Sequence, residues 1–469
     1  MKRLLLTSAL MCLVASAYAQ KTELDAAQKA FDKGDYQTAL TQAQKGQQML
    51  DETSKPDMVA KAMYLVGLSK LQLAGDNREM IDQALEELNA LAEYEKGQNF
   101  SARDNATKKT VYFDSQKELD DAIASGKYSK PKVTKRIATY TPQMHTTVGE
   151  FGNGYYQQSV NAFNSRDFKK AAELFELTYE AQKVFAPKAD TALLNNAAIS
   201  LLQARDYTGA KDLYKRLIDM DYTGIETIYE ATDALTGERR VYNSKEDMDM
   251  QVKLKLASDP EVRVEEDKQP GIYLLLIQLC YQDEEYDQAL EYCQKALKKY
   301  PKDKDIFLLE GQIQYQKGDL DKFLENLLNA EKVFEGDAEI FYNIGFIYGE
   351  KGDEAKSIEY YKKAIEVDPK YVNAYVNLAS TMLNGEQRIN EEIDKLPLSL
   401  NAEQKKQYDE LVAQKKALYK EVVDLLEGAH KVLPDELNIV RILRSVYTAL
   451  DDQENVKKYE ALEQQMMGM

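Results

Sequence analysis

The sequence predicts an all-α fold: a solenoid of antiparallel helix pairs, with two small inserted β-hairpin/helix modules and one extended helical spur. Three observations lead to this prediction. Amphipathic helices recur at a 34-residue period, residues 104–120 align without gaps with residues 233–249, and one C-terminal helix pair contains about 31 extra residues. A single helix pair cannot bury its apolar face alone, so pairs that repeat at a fixed period are expected to stack.

The helical period is clearest in the C-terminal half. The stretches Glu284–Pro301 and Gly352–Pro369 both begin near a turn, continue as an amphipathic helix and end at a proline. The two prolines lie two 34-residue periods apart. Three tandem helix-turn-helix units fit this spacing, at residues 270–303, 304–337 and 338–371.

Small residues in these units are expected where two helices pack closely. Gly345 lies in the middle of a first helix, while Ser357 and Ala364 lie on one face of the following helix, two turns apart. Pro369 then ends that second helix, because proline cannot continue it. The pattern resembles the tetratricopeptide repeat, which shares the period and the placement of small residues. The signature tryptophan of that family is missing, because the chain contains no Trp.

The aligned segments at 104–120 and 233–249 predict two copies of one module. Each has a turn-rich start, a short β-prone run and a helix that begins at a serine. Ser115 with Glu118, and Ser244 with Asp247, have the spacing of a capping box. The predicted organisation is a signal peptide at 1–19, tetratricopeptide-like helix pairs at 20–98, the first module at 99–129, a linker at 130–142, further helix pairs at 143–224, the second module at 225–268, and a C-terminal array at 269–469 with the spur at about 384–421.

The spur is predicted from an insertion that lengthens both helices of one pair. Asn401 is expected to cap its second helix, and from Ala402 to Leu433 that helix would be about 48 Å long. An apolar stripe could pack the spur against itself, or a partner could cover it. The stripe consists of Tyr408, Leu411, Val412 and Leu418, opposite Ile389 and Ile393.

Residues 1–19 have the features of an export signal. Lys2 and Arg3 precede an apolar run from Leu4 to Ala15, and Ala17-Tyr18-Ala19 offers small residues for signal peptidase. The run is too short to anchor a protein stably in a bilayer. We therefore expect cleavage near Ala19 and an exported chain, either periplasmic or secreted.

The charge and composition argue against several classes of function. The formal net charge is −18, whereas nucleic-acid binding requires clustered Lys and Arg. No later segment is long and apolar enough to predict a transmembrane helix. The chain has two histidines, His145 and His430, with no motif around either, and no Cys/His or Asp-rich spacing suits zinc or calcium. We predict a chain that is not an enzyme and needs neither cofactor nor metal.

The resemblance to tetratricopeptide repeats implies a concave groove that the first helices of the repeats line. An extended peptide or a partner's loop would bind in this groove. Its predicted residues are aromatic, aliphatic and amide side chains: Leu274, Gln278, Tyr281, Leu308, Gln312, Tyr315, Tyr342, Phe346 and Val376. Aromatic linings suit peptide or protein recognition, because they give a large contact area with little ordering cost.

Cys280 and Cys293 are the two cysteines left after the expected cleavage. Both are predicted to lie on the facing helices of one repeat. In an oxidising compartment they could form a disulfide. The alternative is a pair of buried thiols that fill positions in the core.

The function expected from these observations is that of a non-enzymatic protein–protein interaction scaffold of the cell envelope. It would bind a partner peptide or protein through the groove, with the spur as a further contact, within an envelope or outer-membrane complex. A periplasmic holdase-type chaperone or assembly factor is the alternative. An enzyme whose active site lies in the two modules is a third hypothesis, although no convergent titratable groups point to one.

Overall fold

The protein divides into two compact units, residues 20–224 and residues 225–468. A computed structural model of the chain describes residues 20–468. Each unit consists mainly of antiparallel helix pairs and includes one small antiparallel sheet. Across these described residues, no helix combines the length and the apolar character that crossing a membrane would require.

The first unit contains four helix pairs and one sheet module. Its elements in chain order are α1 (20–31), α2 (Tyr36–Gln48), α3 (Pro56–Leu73), α4 (Arg78–Lys96), β1 (Gln98–Asp104), β2 (Thr110–Phe113), α5 (Gln116–Ala124), β3 (Tyr128–Lys135), α6 (Thr141–Asn164), α7 (Phe168–Phe185), α8 (Ala192–Gln203) and α9 (Tyr207–Asp219). The sheet module separates the first two helix pairs from the last two.

The second unit begins with the second sheet module and continues as five helix pairs. Its elements are β4 (Thr227–Asp233), β5 (Arg239–Tyr242), α10 (Lys245–Lys253), β6 (Ala257–Val264), α11 (Gln269–Gln282), α12 (Tyr286–Lys299), α13 (Lys304–Gln316), α14 (Leu320–Val333), α15 (Ala338–Glu350), α16 (Glu354–Val367), α17 (Val372–Asp394), α18 (Ala402–Val432), α19 (Leu437–Ala449) and α20 (Gln453–Met466). Helices α13, α15 and α17 begin at Lys304, Ala338 and Val372, one repeat period apart, as the sequence predicts.

Short turns join the two helices of most pairs in the same way. The residue before the N-cap has a positive φ in seven pairs of the described chain, and the N-cap itself is Asp or Glu in all seven. Glycine fills the positive-φ position in three pairs, for example Gly352 with φ +79° before Asp353. In the other four pairs the position is occupied by Arg166, Arg205, Glu284 and Asp451.

The close helix contact predicted at Gly345 is confirmed. A Cβ atom built on Gly345 would lie 2.9 Å from Cδ1 of Tyr361 and 3.2 Å from the Ser357 carbonyl oxygen. Ser357 and Ala364 are both fully buried on α16. The pair α15–α16 therefore packs with backbone against backbone at this point, and the bulky side chains around it form the repeat core.

Each module is a three-stranded antiparallel sheet with one helix, rather than a hairpin with one helix. The strand orders are β2–β1–β3 and β5–β4–β6, and the expected hairpins are β1–β2 and β4–β5. The third strands correct the sequence prediction, because β3 lies largely within the segment assigned to a linker at 130–142. All four elements of one module correspond to those of the other at the constant offset that aligns Gln98 with Thr227, which supports the predicted duplication.

The module helices begin as predicted. The Ser115 and Ser244 side chains accept hydrogen bonds from the backbone N–H groups of Glu118 and Asp247. In the first module the Glu118 carboxylate accepts a bond from the Asp114 N–H rather than from the Ser115 N–H. The hydrogen bond that each capping serine accepts is thus confirmed. In the first module the reciprocal bond to the acidic side chain comes from the residue before the serine rather than from the serine itself.

The two long helices of the predicted spur are confirmed as α17 and α18. Asn401 and Gln404 form a complete capping box at the start of α18, whose 31 residues correspond to about 46 Å. Near the base of the spur, Lys415 of α18 pairs with Glu386 of α17 at 2.9 Å. Farther out the stripe is more open: Tyr408 is 39% exposed, whereas Leu411, Val412 and Leu418 are half-buried.

Candidate functional site

The nine residues predicted for the groove all lie on the first helices of their pairs in the second unit. Helix α11 carries Leu274, Gln278 and Tyr281, and the rest follow on α13, α15 and α17. None of the nine is fully buried: Gln278 and Gln312 are exposed, and the other seven are half-buried. Positions 274, 308, 342 and 376 are each one repeat period apart, so the repeat places them on equivalent turns of four successive helices.

Side chains of this set connect three of the four first helices. Between α11 and α13, Gln312 Nε2 lies 3.5 Å from Tyr281 OH. Between α13 and α15, the rings of Tyr315 and Phe346 have centroids 6.0 Å apart. The predicted residues therefore form a chain of neighbours across three repeats, with half-buried rings and exposed amides.

Two residues next to the predicted set were missed by the sequence reasoning, and both contact Tyr342. Asn377 of α17 donates a hydrogen bond from Nδ2 to Tyr342 OH at 3.0 Å. The ring of Tyr371, just before α17, lies 5.2 Å from the Tyr342 ring. The 34-residue period relates Asn377 to Asn343, which is a signal that could have identified it.

All nine residues predicted for the groove are uncharged, in a chain of which 30% of the residues are Asp, Glu, Lys or Arg. Helix α11 contains no Asp, Glu, Lys or Arg, and the exposed residues in the second half of α13 include Gln312 and Gln316. Burial raises the pKa of Tyr342, and burial together with nearby Glu339 raises the pKa of Tyr371 to about 12. Both phenols therefore stay protonated at neutral pH and can serve as neutral hydrogen-bonding groups.

The two cysteines occur as buried thiols, with no disulfide between them. Cys280 on α11 and Cys293 on α12 are both fully buried, and Cys280 Sγ lies 3.5 Å from Gln288 Oε1. Burial, with a smaller contribution from Glu310, raises the pKa of the Cys293 thiol. Of the two arrangements open from the sequence, the structure contains the pair of core thiols. Such thiols are poorly reactive because little thiolate forms.

No group of three or more His, Cys, Asp or Glu side chains among residues 20–468 is placed to hold a metal ion. The site is instead a surface of aromatic rings and amides. Its polar groups are neutral donors and acceptors, which match the N–H and C=O groups of an extended peptide backbone. Its rings offer flat apolar area to the side chains of that peptide.

Sequence models of the tetratricopeptide repeat match the chain at residues 274–338, 338–371 and 360–407. A search of curated proteins gave no match. Among solved structures, a crystal structure of MamA protein is 16% identical over 42% of this chain and 92% of its own, with a TM-score of 0.30. A crystal structure of YrrB, described as a TPR protein with an unusual peptide-binding site, is 17% identical over 47% of this chain and 88% of its own, also with a TM-score of 0.30.

Such TM-scores are too low to establish a common architecture for the whole chain. The sequence models are more specific, because together they cover residues 274–407, where α13, α15 and α17 begin one repeat period apart. Within that span lie Gly345, Ser357 and Ala364, at which α15 and α16 come into close contact. Residues 274–407 of the chain therefore consist of tetratricopeptide repeats.

Proposed function

We propose that the protein is a non-enzymatic scaffold that holds a partner protein through an extended segment bound in the groove of α11, α13, α15 and α17. The observation that supports this most directly is the set of uncharged predicted groove residues on the first helices of four successive pairs, in which half-buried rings and aliphatic side chains accompany the exposed amides Gln278 and Gln312. Tyr and amide side chains contribute contact area and hydrogen bonds without requiring a charged ligand. The expected partner segment is thus largely neutral where it contacts the groove.

Tyr342 has the central role in this proposal. Its hydroxyl accepts a hydrogen bond from Asn377, and its ring is flanked by Tyr361 at 5.7 Å and Tyr371 at 5.2 Å. These contacts fix the ring before a partner arrives, so little side-chain freedom remains to be lost on binding. The exposed Gln278 and Gln312 are freer and are expected to bond the peptide backbone.

We expect Gln278→Arg with Gln312→Arg to weaken capture of the partner at least about tenfold, since two charges would be placed beside a neutral bound segment. The measurement is a quantitative pull-down from envelope extract. Gln294→Arg with Asn329→Arg adds the same charge at exposed positions on the second helices α12 and α14 and should have little effect.

The identity and stoichiometry of the captured proteins separate the outcomes. A scaffold gives one stoichiometric partner, whereas a holdase chaperone gives many substoichiometric ones. Equal losses in the groove and control variants would contradict binding in the groove. The same pull-down is repeated with a variant in which a short turn replaces residues 385–415. If the spur adds to the contact, this variant captures less of the partner although it retains its helical signal.

We also propose that the protein acts in the cell envelope after export. The support comes from the sequence of residues 1–19, which lie outside the described residues: a basic start, a short apolar run and Ala17-Tyr18-Ala19. Mass spectrometry of the protein isolated from its native source is expected to find Gln20 at the N-terminus. An intact Met1, or a lipid on Cys12, would contradict the proposal.

A further inference from the structure

The two sheet modules share one backbone but differ in charge. Strands and helices correspond at one constant offset, and so do the register shifts between Ser101 and Arg103 and between Glu230 and Thr232. Residues 98–136 contain nine Lys and Arg against five Asp and Glu, whereas the equivalent residues 227–265 contain six against nine. The first module is thus a basic region in a chain of net charge −18.

The excess positive charge is concentrated on β3, one of the two outer strands of the first sheet. Lys130, Lys132 and Lys135 are all exposed, and none of them has a carboxylate within 4.0 Å among the described residues. Residues 122–149, which include the whole of β3, contain neither Asp nor Glu. Within the part of the chain that the structure describes, no strand pairs with β3 on its outer side.

The outer strand of the second module carries the opposite charges in the same places. Asp259, Glu261 and Glu265 occupy the positions of Lys130, Lys132 and Arg136. Unlike the lysines, Glu261 and Glu265 are neutralised within their module: Arg239 lies 2.8 Å from Glu261, and Arg263 forms an ion pair with Glu265. The three lysines of the first edge therefore lack a carboxylate within 4.0 Å among residues 20–468, whereas two of the three acidic residues of the second edge are paired with arginine.

Protection of a sheet edge explains why both outer strands carry charged side chains, but it does not explain why those of the first module are positive. Both outer strands contain a proline, Pro131 and Pro260, preceded by a residue with positive φ in the irregular part of the strand. Prolines, bulges and charged side chains all prevent edge-to-edge pairing. Because the two modules achieve this with opposite charges, edge protection does not require lysine on β3.

Arg136, the residue that follows β3, lies beside a cavity. Its guanidinium carbon lies 3.7 Å from the centre of the Tyr94 ring, Nε donates to Asn99 Oδ1 at 2.7 Å, and Nη1 donates to the Tyr94 carbonyl at 2.8 Å. These contacts hold the guanidinium in place while Nη2 keeps its hydrogen-bonding capacity. The cavity, of about 420 Å³, is also lined by Lys55 and Lys135 and, among acidic residues, by Asp57 and Glu95.

We propose that this basic edge, formed by Lys130, Lys132, Lys135 and Arg136, is a docking surface for an acidic, extended segment of a partner protein. Carboxylates of the segment would pair with the lysines, and one carboxylate would receive hydrogen bonds from Arg136. The four residues span about 20 Å of strand, which suits a short peptide. The remainder of residues 20–224 carries more acid than base, which disfavours larger polyanions such as nucleic acid or an anionic bilayer.

The test uses the full chain and a fluorescein-labelled peptide of alternating Glu and Ser, twelve residues long, followed by fluorescence anisotropy at low salt. Lys130→Glu, Lys132→Glu and Lys135→Glu together are expected to weaken binding at least about tenfold, since three attractions become repulsions. Lys29→Glu, Lys33→Glu and Lys169→Glu make the same change in charge at exposed positions on α1, in the turn after α1 and on α7, and should change affinity less than about twofold.

A second triple variant, with glutamine at positions 130, 132 and 135, keeps the strand polar and should weaken binding by an intermediate factor even if the glutamate variant misfolds. Equal losses of affinity in the edge variant and in the Lys29, Lys33 and Lys169 control variant would overturn the proposal, because the overall charge of the protein rather than a defined site would then bind the peptide. It would also be overturned if the peptide does not bind while phosphatidylglycerol vesicles or duplex DNA do. A salt-sensitive dimer in sedimentation velocity that the edge variant abolishes would make a second copy of the chain the occupant instead.

Discussion

Replacing Gly345 by leucine is expected to lower the local stability of the α15–α16 pair by about 3 kcal/mol, the upper part of the range for overpacked cores. The added side chain would meet the Tyr361 ring and the Ser357 carbonyl, and a backbone oxygen cannot move aside by changing a rotamer. Hydrogen–deuterium exchange of peptides from residues 338–371 measures the effect directly.

Gly428→Leu provides the matched control. Gly428 also lies within a long helix, α18, but nothing lies within 4 Å of a Cβ built on it. Leucine there should stabilise its helix slightly, by about 0.5–1 kcal/mol, since it is a better helix former than glycine. If both substitutions changed exchange to the same extent and in the same direction, close helix contact at Gly345 would not be the reason for the glycine.

Replacing Glu95 by alanine is expected to destabilise the first unit by about 3 kcal/mol, because a buried charged acceptor and its hydrogen bonds are lost together. The Glu95 carboxylate is 3% exposed and accepts backbone hydrogen bonds from Thr139, Tyr140 and Thr141 at 2.9–3.2 Å, together with one from Thr141 Oγ1 at 2.6 Å. Without it, the first amides of α6 lose their acceptor at the positive end of the helix dipole.

Chemical denaturation followed by circular dichroism, with exchange of α6 amides as the local readout, checks this result. Glu95→Gln should cost less, because the amide oxygen still accepts. Glu93→Ala removes an exposed carboxylate on the same helix, paired with Lys96 at 2.7 Å, and should cost less than about 0.5 kcal/mol. A loss for Glu95→Ala no larger than that of the control would show that α6 does not depend on this cap.

The helix pairs could be predicted because their signals are local and repeated. Small residues such as Gly345 and Ser357 and a terminating proline act within one repeat, and they recur at a fixed period. Both the residues and the period can therefore be recognised in the sequence. The groove positions were implied by the resemblance to tetratricopeptide repeats, and the period relates positions 274, 308, 342 and 376 to one another. Asn377 was missed, because its role depends on a contact with a tyrosine 35 residues away in the preceding repeat.

The third strands could not be predicted for a different reason. Strands β3 and β6 are exposed along most of their length, so they lack the alternation of apolar and polar residues by which strands are detected. Each also contains a proline, which argues against a strand in a sequence read alone. Their pairing with β1 and β4 is decided by the sheet rather than by local preference.

The turns within the helix pairs bear on how the chain can evolve. Arg166, Arg205, Glu284 and Asp451 hold the left-handed backbone that Gly318 and Gly352 adopt without strain. A non-glycine residue gives up about 1 kcal/mol in this conformation. At each of the four positions a single change to glycine would therefore remove this cost in stability, and it could offset a destabilising mutation elsewhere. An array with such positions can accept destabilising changes at its binding surfaces that an array with glycine already at every such turn could not.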